Sequence, residues 1–279
     1  MYALPNLIRF NDHVIVKNDT FDLNIKPIEI LFQPPKRMEL ETGLQVNKVN
    51  LGKIISTFVS LNKPLEGYLT GNLPLIKIEN GNLRSRGSLT AKIFHGTVKI
   101  THLTVENVFS ANRIFGAEID FSDLNLEELT TITNFGKITG VLEGYIHNLK
   151  IAYGQPVSFD ALFQTVKKKG ISQKINVKAV DNIAQLGGSG SSFQGLGKLV
   201  TVFFKEFPYE QIGIRCKLNN DVFTIRGTVI SDHTEYLVKR SGFTGINVIN
   251  RNPNNNISFK DMIKRLKRIT KTSKPVVNP

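Results

Sequence analysis

The chain has 279 residues, of which 41% are hydrophobic, and it carries a formal net charge of +13. This composition excludes an intrinsically disordered chain, because there are enough apolar residues to bury a core. The single cysteine, Cys216, excludes an internal disulfide. No window holds the roughly 18 apolar residues that a membrane-spanning helix needs.

The first residues of the chain lack the apolar stretch of a signal peptide. Polar and charged residues such as Arg9, Asp12 and Lys17 interrupt residues 2–24. If the protein works outside the cytosol, we therefore expect a missing N-terminal segment or a partner chain to anchor it there.

Apolar and polar residues alternate in five segments of the chain. This period of two is typical of β-strands with one buried face. The short turn sequence at 219–221 predicts a β-hairpin between the last two segments. The sequence therefore predicts a mainly β protein, built as an extended, twisted antiparallel sheet with a few short amphipathic helices. The five segments are 21–25, 115–121, 174–179, 212–218 and 223–229.

Four segments have helical spacing instead, at 51–59, 126–135, 196–207 and 259–269. Asn50 is the predicted N-cap of the first segment, and Asn125 with Glu128 resembles a capping box at the second. Gly136 is expected to end the second helix, and Pro208 the third.

Two further segments bear on the organisation of the chain. The Gly/Ser-rich run at 187–192 predicts a flexible joint. Residues 270–279 are expected to form a disordered basic tail. We expect residues 1–269 to form a single elongated domain.

An internal repeat supports this elongated organisation. Val49-Asn50-Leu51 is matched by Leu124-Asn125-Leu126, and Leu65-Glu66-Gly67-Tyr68 by Leu142-Glu143-Gly144-Tyr145. The predicted units cover about 44–93 and 117–163. Repeats of this kind extend a sheet in one direction, each unit covering its neighbour.

The chain shows no catalytic or metal-binding spacing. The five histidines form no i, i+4 pair. His147 and Asp160 can meet in space, but a histidine on a strand is more often a surface residue. Cys216 lies on the apolar face of a predicted strand and is expected to be a core residue. We therefore predict a non-enzymatic protein without a cofactor or metal. The alternatives are a structural scaffold with a closed core and, less favoured, a hydrolase with a dispersed site.

The last predicted helix is strongly basic. From Arg251 onward the chain has eight basic residues and one acidic residue. The helix either caps the last strand, or uses Lys264, Lys267 and Arg268 to contact an anionic membrane or an envelope partner protein. Nucleic acid is disfavoured as a partner, because no aromatic residues alternate with the basic ones to stack on bases.

From about Gly43 to Ile269 the sequence resembles the C-terminal region of bacterial AsmA-like envelope proteins, especially the YdbH-like group. The segments that carry the resemblance are Ala117–Leu129, Gly136–Ile146, Gly154–Val157 before Phe159, Ala179–Ile183, Phe207–Tyr209 and Gly245–Asn250.

The resemblance implies an open, taco-like β-groove that carries phospholipid acyl chains across the periplasm of a Gram-negative-type bacterium, between inner and outer membranes. It also implies an N-terminal anchor helix, which this sequence lacks. The candidates for the groove lining lie on the apolar sides of alternating segments, where they can equally be ordinary core. They are Ile175, Val177, Ile212, Ile214, Leu218, Phe223, Ile225 and Val229.

Overall fold

The structure, a computed structural model, describes residues 6–33, 37–56, 61–187, 205–250 and 256–264. The protein is mainly β: its strands pair in one large antiparallel sheet, accompanied by four short helices. The predicted fold class is therefore confirmed.

The elements are numbered here in chain order. The first ten are β1 (Asn6–Phe10), β2 (Val14–Lys17), β3 (Phe21–Ile25), β4 (Ile28–Gln33), β5 (Arg37–Asn50), α1 (Leu51–Ile55), β6 (Tyr68–Glu79), β7 (Asn82–Ile93), β8 (Gly96–Glu106) and β9 (Ile114–Asn125). The next six are α2 (Leu126–Ile132), β10 (Ile138–Thr139), β11 (Val141–Ala152), β12 (Gln155–Val166), β13 (Lys174–Asn176) and α3 (Val177–Leu186). The last are β14 (Glu206–Asn219), β15 (Val222–Gly227), β16 (Val229–Ser231), β17 (Thr234–Arg240), β18 (Val248–Ile249) and β19 (Ile257–Ser258), followed by α4 at 259–264.

The chain divides into two compact units. Unit 1 comprises Met1–Val59, Leu65–Ser122 and Tyr145–Asp160, and unit 2 comprises Ser60–Pro64, Asp123–Gly144 and Ala161–Pro279.

Unit 1 is built on long antiparallel strands. β5 pairs with β3, β4 and β6, and the ladder then continues through β7 and β8 to β9. The buried core of this unit is Val46, Val49, Leu69, Leu73, Leu89 and Ala91. All these side chains come from β5, β6 and β7, because the alternation of each strand turns its apolar residues to the same face.

A line of irregularities crosses unit 1 from β5 to β8. The pairing register shifts near Gly43 on β5, Pro74 on β6, Gly87 on β7 and His102 on β8. Proline has no N–H to give to a ladder and is confined within sheets to such places. Gly87 has φ +104°, and a Cβ added there would lie 2.2 Å from the Asn72 carbonyl oxygen. Bulges bend strands and increase their twist.

Unit 2 contains the predicted hairpin. β14 pairs with β15 in a register that places Leu218 opposite Phe223 and leaves Asn220 and Asp221 in the turn. Asn220 has φ +55°, the left-handed conformation that such two-residue turns require. The predicted hairpin is therefore confirmed. The opposite half of β14 pairs with β17.

The first two predicted helices are confirmed within the described residues. Asn50 caps α1 by accepting a hydrogen bond from the Lys53 amide, and Asn125 caps α2 by accepting from Glu127 and Glu128. The predicted end of the second helix at Gly136 is wrong. α2 ends at Ile132, and Asn134 supplies the left-handed residue with φ +55°. Residues 57–59 of the first prediction lie outside the described residues.

The predicted strand over 174–179 is wrong beyond Asn176. Val177 begins α3, because the Asn176 side chain accepts hydrogen bonds from the amides of Ala179 and Lys137. α3 is a third instance of the pattern at Asn50 and Asn125, in which a strand ends at an asparagine that caps the next helix.

Of the remaining two helix predictions, one is wrong at its end and the other is confirmed at its start. The end of the predicted helix at 196–207 is wrong, because residues 206–207 and Pro208 belong to β14. Its earlier part, and the Gly/Ser joint beyond residue 187, lie outside the described residues. The helix expected at 259–269 begins at 259 as predicted.

Candidate functional site: an apolar trough on unit 1

An apolar trough of about 410 Å³ lies on one face of unit 1, half open to solvent. Strands β5 to β9 and β11 line it, so it extends across the width of the ladder. Hydrocarbon side chains form nearly all of its surface. Prominent among them are Leu44, Leu73, Ile76, Ile100, Leu103, Val105, Phe115, Ala117, Ile119, Leu149 and Ile151.

The trough follows the line of bulges. Leu73 is next to Pro74, Ser85 is close to Gly87, and Leu103 follows His102. Since bulges bend the strands that contain them, the same feature that interrupts the ladder gives this face its concavity. Most lining side chains are half-buried rather than sealed, and Phe115 is 49% exposed.

The strand alternation places polar contacts on the face opposite the trough. On β9, Ala117 and Ile119 line the trough, whereas Glu118 and Asp120 point the other way. The Asn148 amide of β11 donates to the Glu118 carboxylate at 3.1 Å. His147 Nε2 lies 2.8 Å from Asp120 Oδ1. His147 is thus placed beside Asp120, where the sequence had suggested Asp160.

One polar side chain is buried at the trough wall. Ser85 is 9% exposed, and its Oγ has no hydrogen-bond partner among the described residues. A buried hydroxyl without a partner costs roughly 1–3 kcal/mol. Ser85 is therefore a buried polar group without a partner in a wall that is mostly apolar.

The eight predicted groove residues lie elsewhere. None of them lines the trough; all belong to unit 2. Five are buried core, namely Ile175, Ile212, Leu218, Phe223 and Ile225, whereas Ile214 and Val229 are half-buried. Val177 is half-buried at the start of α3, so its predicted place on the apolar face of a strand is wrong.

The first turns of α4 are tied to the β14–β15 hairpin. Asp221 accepts hydrogen bonds from the Ser258 hydroxyl at 2.8 Å and from the Lys260 amide at 3.2 Å. Met262 is buried, and Lys264 pairs with Asp261 at 3.1 Å. Lys267 and Arg268 lie outside the described residues. The start of α4 therefore packs as a cap would, and its basic end stays a candidate membrane contact.

Thiol, metal-binding and membrane-spanning features were the remaining candidates for function in the described ranges. Cys216 is buried in the core and forms no disulfide, as predicted. No group of three or more His, Cys, Asp or Glu side chains is placed to hold a metal ion in the described ranges. Across those ranges no helix combines the length and apolar character needed to cross a membrane.

No known protein family, characterised protein or solved structure matches the chain. The resemblance to AsmA-like proteins therefore stays a prediction.

Sequence reasoning missed the trough because its lining comes from six strands whose mutual register is set by tertiary pairing. A local signal was nevertheless present. Gly43, Pro74 and Gly87 interrupt segments that otherwise alternate, and such residues inside a strand pattern indicate bulges.

Proposed function

We propose that the trough shelters an acyl chain of a phospholipid, and that the protein conducts such chains between the inner and outer membranes of a Gram-negative-type envelope. The trough is the observation that supports the first part. Its 410 Å³ falls in the range of about 300–1,000 Å³ of small-molecule sites, whose walls are mostly apolar with few polar groups.

The energetics favour a hydrocarbon occupant. Each methylene group removed from water contributes about 0.8 kcal/mol. The half-exposed side chains of the trough are also removed from water when an acyl chain binds, which adds to the favourable free energy of binding. An acyl chain makes no demand for hydrogen bonds along its length, which suits a wall made mostly of hydrocarbon side chains. The envelope location rests on the sequence resemblance alone.

The proposal competes with the scaffold hypothesis. Five of the eight groove candidates of unit 2 are buried, which is what a scaffold needs. The trough of unit 1 is a half-open concavity, which a scaffold does not require. The two hypotheses therefore differ in whether the trough binds lipid.

Lipid extracted from the folded, purified protein and measured by mass spectrometry tests the proposal. The first variant is Ala117→Phe, which fills the trough with a ring and adds no charge. Its control is Ser122→Phe, which adds the same ring at an exposed position on the opposite face of β9. A second variant, Val105→Thr with Ile119→Thr, makes the wall polar, with the shape kept at Val105 and one methyl group lost at Ile119.

We expect phospholipid with the wild-type protein and Ser122→Phe, and a loss of most of it in both trough variants. Circular dichroism and thermal unfolding establish that each variant is folded. A wild-type protein without lipid, or equal lipid in Ala117→Phe, would assign the trough to a scaffold.

A further inference from the structure

Unit 1 has a second concavity, the basic hollow, with a volume of about 560 Å³. Strands β6, β7 and β8 line it. The charged residues of its lining are Lys77, Arg84, Arg86 and Glu79, and His102 lies at the same surface. With His102 neutral these lining groups sum to a net formal charge of +2, and Glu39 and Glu41, which contact Lys77, bring the local sum to zero.

The carboxylate groups of three glutamates near the hollow form ion pairs with Lys77. Its Nζ lies 3.0 Å from Glu39, 3.3 Å from Glu41 and 4.0 Å from Glu79. These hydrogen bonds and charges hold the pKa of Lys77 above its ordinary value. By contrast, neither Arg84 nor Arg86 forms an ion pair with a described residue.

The strand register concentrates positive charge at this place. Lys77 lies directly opposite Arg84, and Arg86 lies opposite Leu75. Like charges at directly opposed positions of an antiparallel pair destabilise it. Arg84 and Arg86 are two residues apart on one face of β7, so their Cα atoms are separated by roughly 6.6 Å. An anion bound between Arg84 and Arg86 would offset the repulsion between their two positive charges.

The donor set fits a phosphate better than a carboxylate. One guanidinium group saturates the two oxygens of a carboxylate in a bidentate pair. A phosphate has further oxygens, so a second guanidinium group and a histidine ring can bind it at the same time. The two guanidinium groups of Arg84 and Arg86 together carry a charge of +2, which matches a phosphate dianion.

We propose that the basic hollow binds a phosphate group between the guanidinium groups of Arg84 and Arg86, with the His102 ring as a third contact. Arg84 and Arg86 alternate along β7 with Leu83 and Ser85 of the trough wall, so their side chains point away from the trough. Phosphate binding by these arginines therefore does not require lipid in the trough, and the site does not depend on the proposed function. The hollow and the trough share Ser85 and Thr104 in their linings, where the β7–β8 ladder is interrupted.

Isothermal titration of the full chain at low ionic strength tests the proposal, with inorganic phosphate and glycerol 3-phosphate as soluble probes. The variant is Arg84→Gln with Arg86→Gln. The matched control is Lys92→Gln with Lys99→Gln, which removes the same charge from two exposed positions outside the hollow. Binding to phosphatidylglycerol vesicles, with phosphatidylcholine vesicles as reference, separates a lipid headgroup from a soluble phosphate.

We expect the wild-type protein and the lysine control to bind one phosphate per chain, or to bind phosphatidylglycerol vesicles selectively. The arginine variant should lose at least tenfold in affinity for the same probe while keeping its thermal unfolding midpoint. The proposal is overturned if no probe binds, or if the lysine control loses as much as the arginine variant.

Discussion

The hydroxyl group of Tyr209 on β14 donates a 2.7 Å hydrogen bond to the main-chain carbonyl oxygen of Thr139 on β10. The side chain is buried, with 2% of its surface exposed. Room for the hydroxyl depends on the next residue, Gly140, where a Cβ atom would lie 2.4 Å from the Tyr209 oxygen. The Tyr209 side chain thus links strands β14 and β10 of unit 2.

The first prediction concerns alkaline pH. Burial raises the pKa of Tyr209 to about 12, whereas a tyrosine in an unfolded chain titrates near 10. The contribution of the protonated Tyr209 hydroxyl to the stability of the fold is complete below pH 10. It is lost as the pH rises to 12, because Tyr209 releases its proton at a lower pH in the unfolded state than in the folded state. Over this window we expect the free energy of unfolding to fall by about 2 kcal/mol more in the wild type than in Tyr209→Phe. Urea unfolding of both proteins at several pH values measures the difference, and parallel pH profiles would contradict it.

The second prediction concerns Gly140→Ala. Gly140 has φ +136°, and the added methyl group would collide with the Tyr209 hydroxyl. We expect a loss of at least about 3 kcal/mol in the free energy of unfolding. The control is Gly170→Ala, which has φ +82° but no atom near the added Cβ, so it should lose only about 1 kcal/mol.

The double variant Gly140→Ala with Tyr209→Phe separates the collision from the backbone strain. Removing the hydroxyl should recover part of the loss, giving a coupling energy between the two positions. Strictly additive losses would show that the collision is not the cause.

The third prediction compares two helix caps. Asn176 Oδ1 accepts hydrogen bonds from two main-chain amides, those of Ala179 and Lys137. Asn50 Oδ1 accepts one from Lys53. We therefore expect Asn176→Ala to cost about 2 kcal/mol and Asn50→Ala about 1 kcal/mol. Asn176→Asp keeps the acceptor and should cost less than alanine. Chemical denaturation measures all three, and an equal cost at the two caps would argue against the double role of Asn176.

The fourth prediction concerns the basic end of the last helix. If Lys264, Lys267 and Arg268 touch anionic lipid, changing all three to Glu should weaken binding to phosphatidylglycerol vesicles at low salt several-fold or more. Raising the salt concentration should weaken wild-type binding as well. Unchanged vesicle binding by the variant would assign the helix to capping alone.

Local features of the fold were predictable from the sequence. Alternation predicted β3, β9 and the β14–β15 hairpin, and Asn50 and Asn125 marked the first two helix starts. The error at Ile175–Ala179 shows the limit of short patterns. Three alternating apolar residues fit a strand, yet Ala179, Val180 and Ile183 also have helical spacing, and the Asn176 cap decides between the two.

The candidate site was less predictable for a different reason. Ile212 and Ile225 alternate as groove residues would, but alternation shows only which face is apolar. It does not show whether another element covers that face. Leu44 and Leu149 line one trough although they are 105 positions apart in the sequence. Only the register of the intervening strands brings them to one surface.

The N-terminal strands β1 and β2 differ from the rest of unit 1, since every residue in them is exposed. Main-chain hydrogen bonds to β4 and β3 hold them, with little gain from buried side chains. Regions with few buried apolar contacts open locally at low free energy. Amide hydrogens of Leu7 and Ile15 should therefore exchange with solvent long before those of Val46 and Leu89, and proteolytic trimming of unit 1 would begin at these two strands.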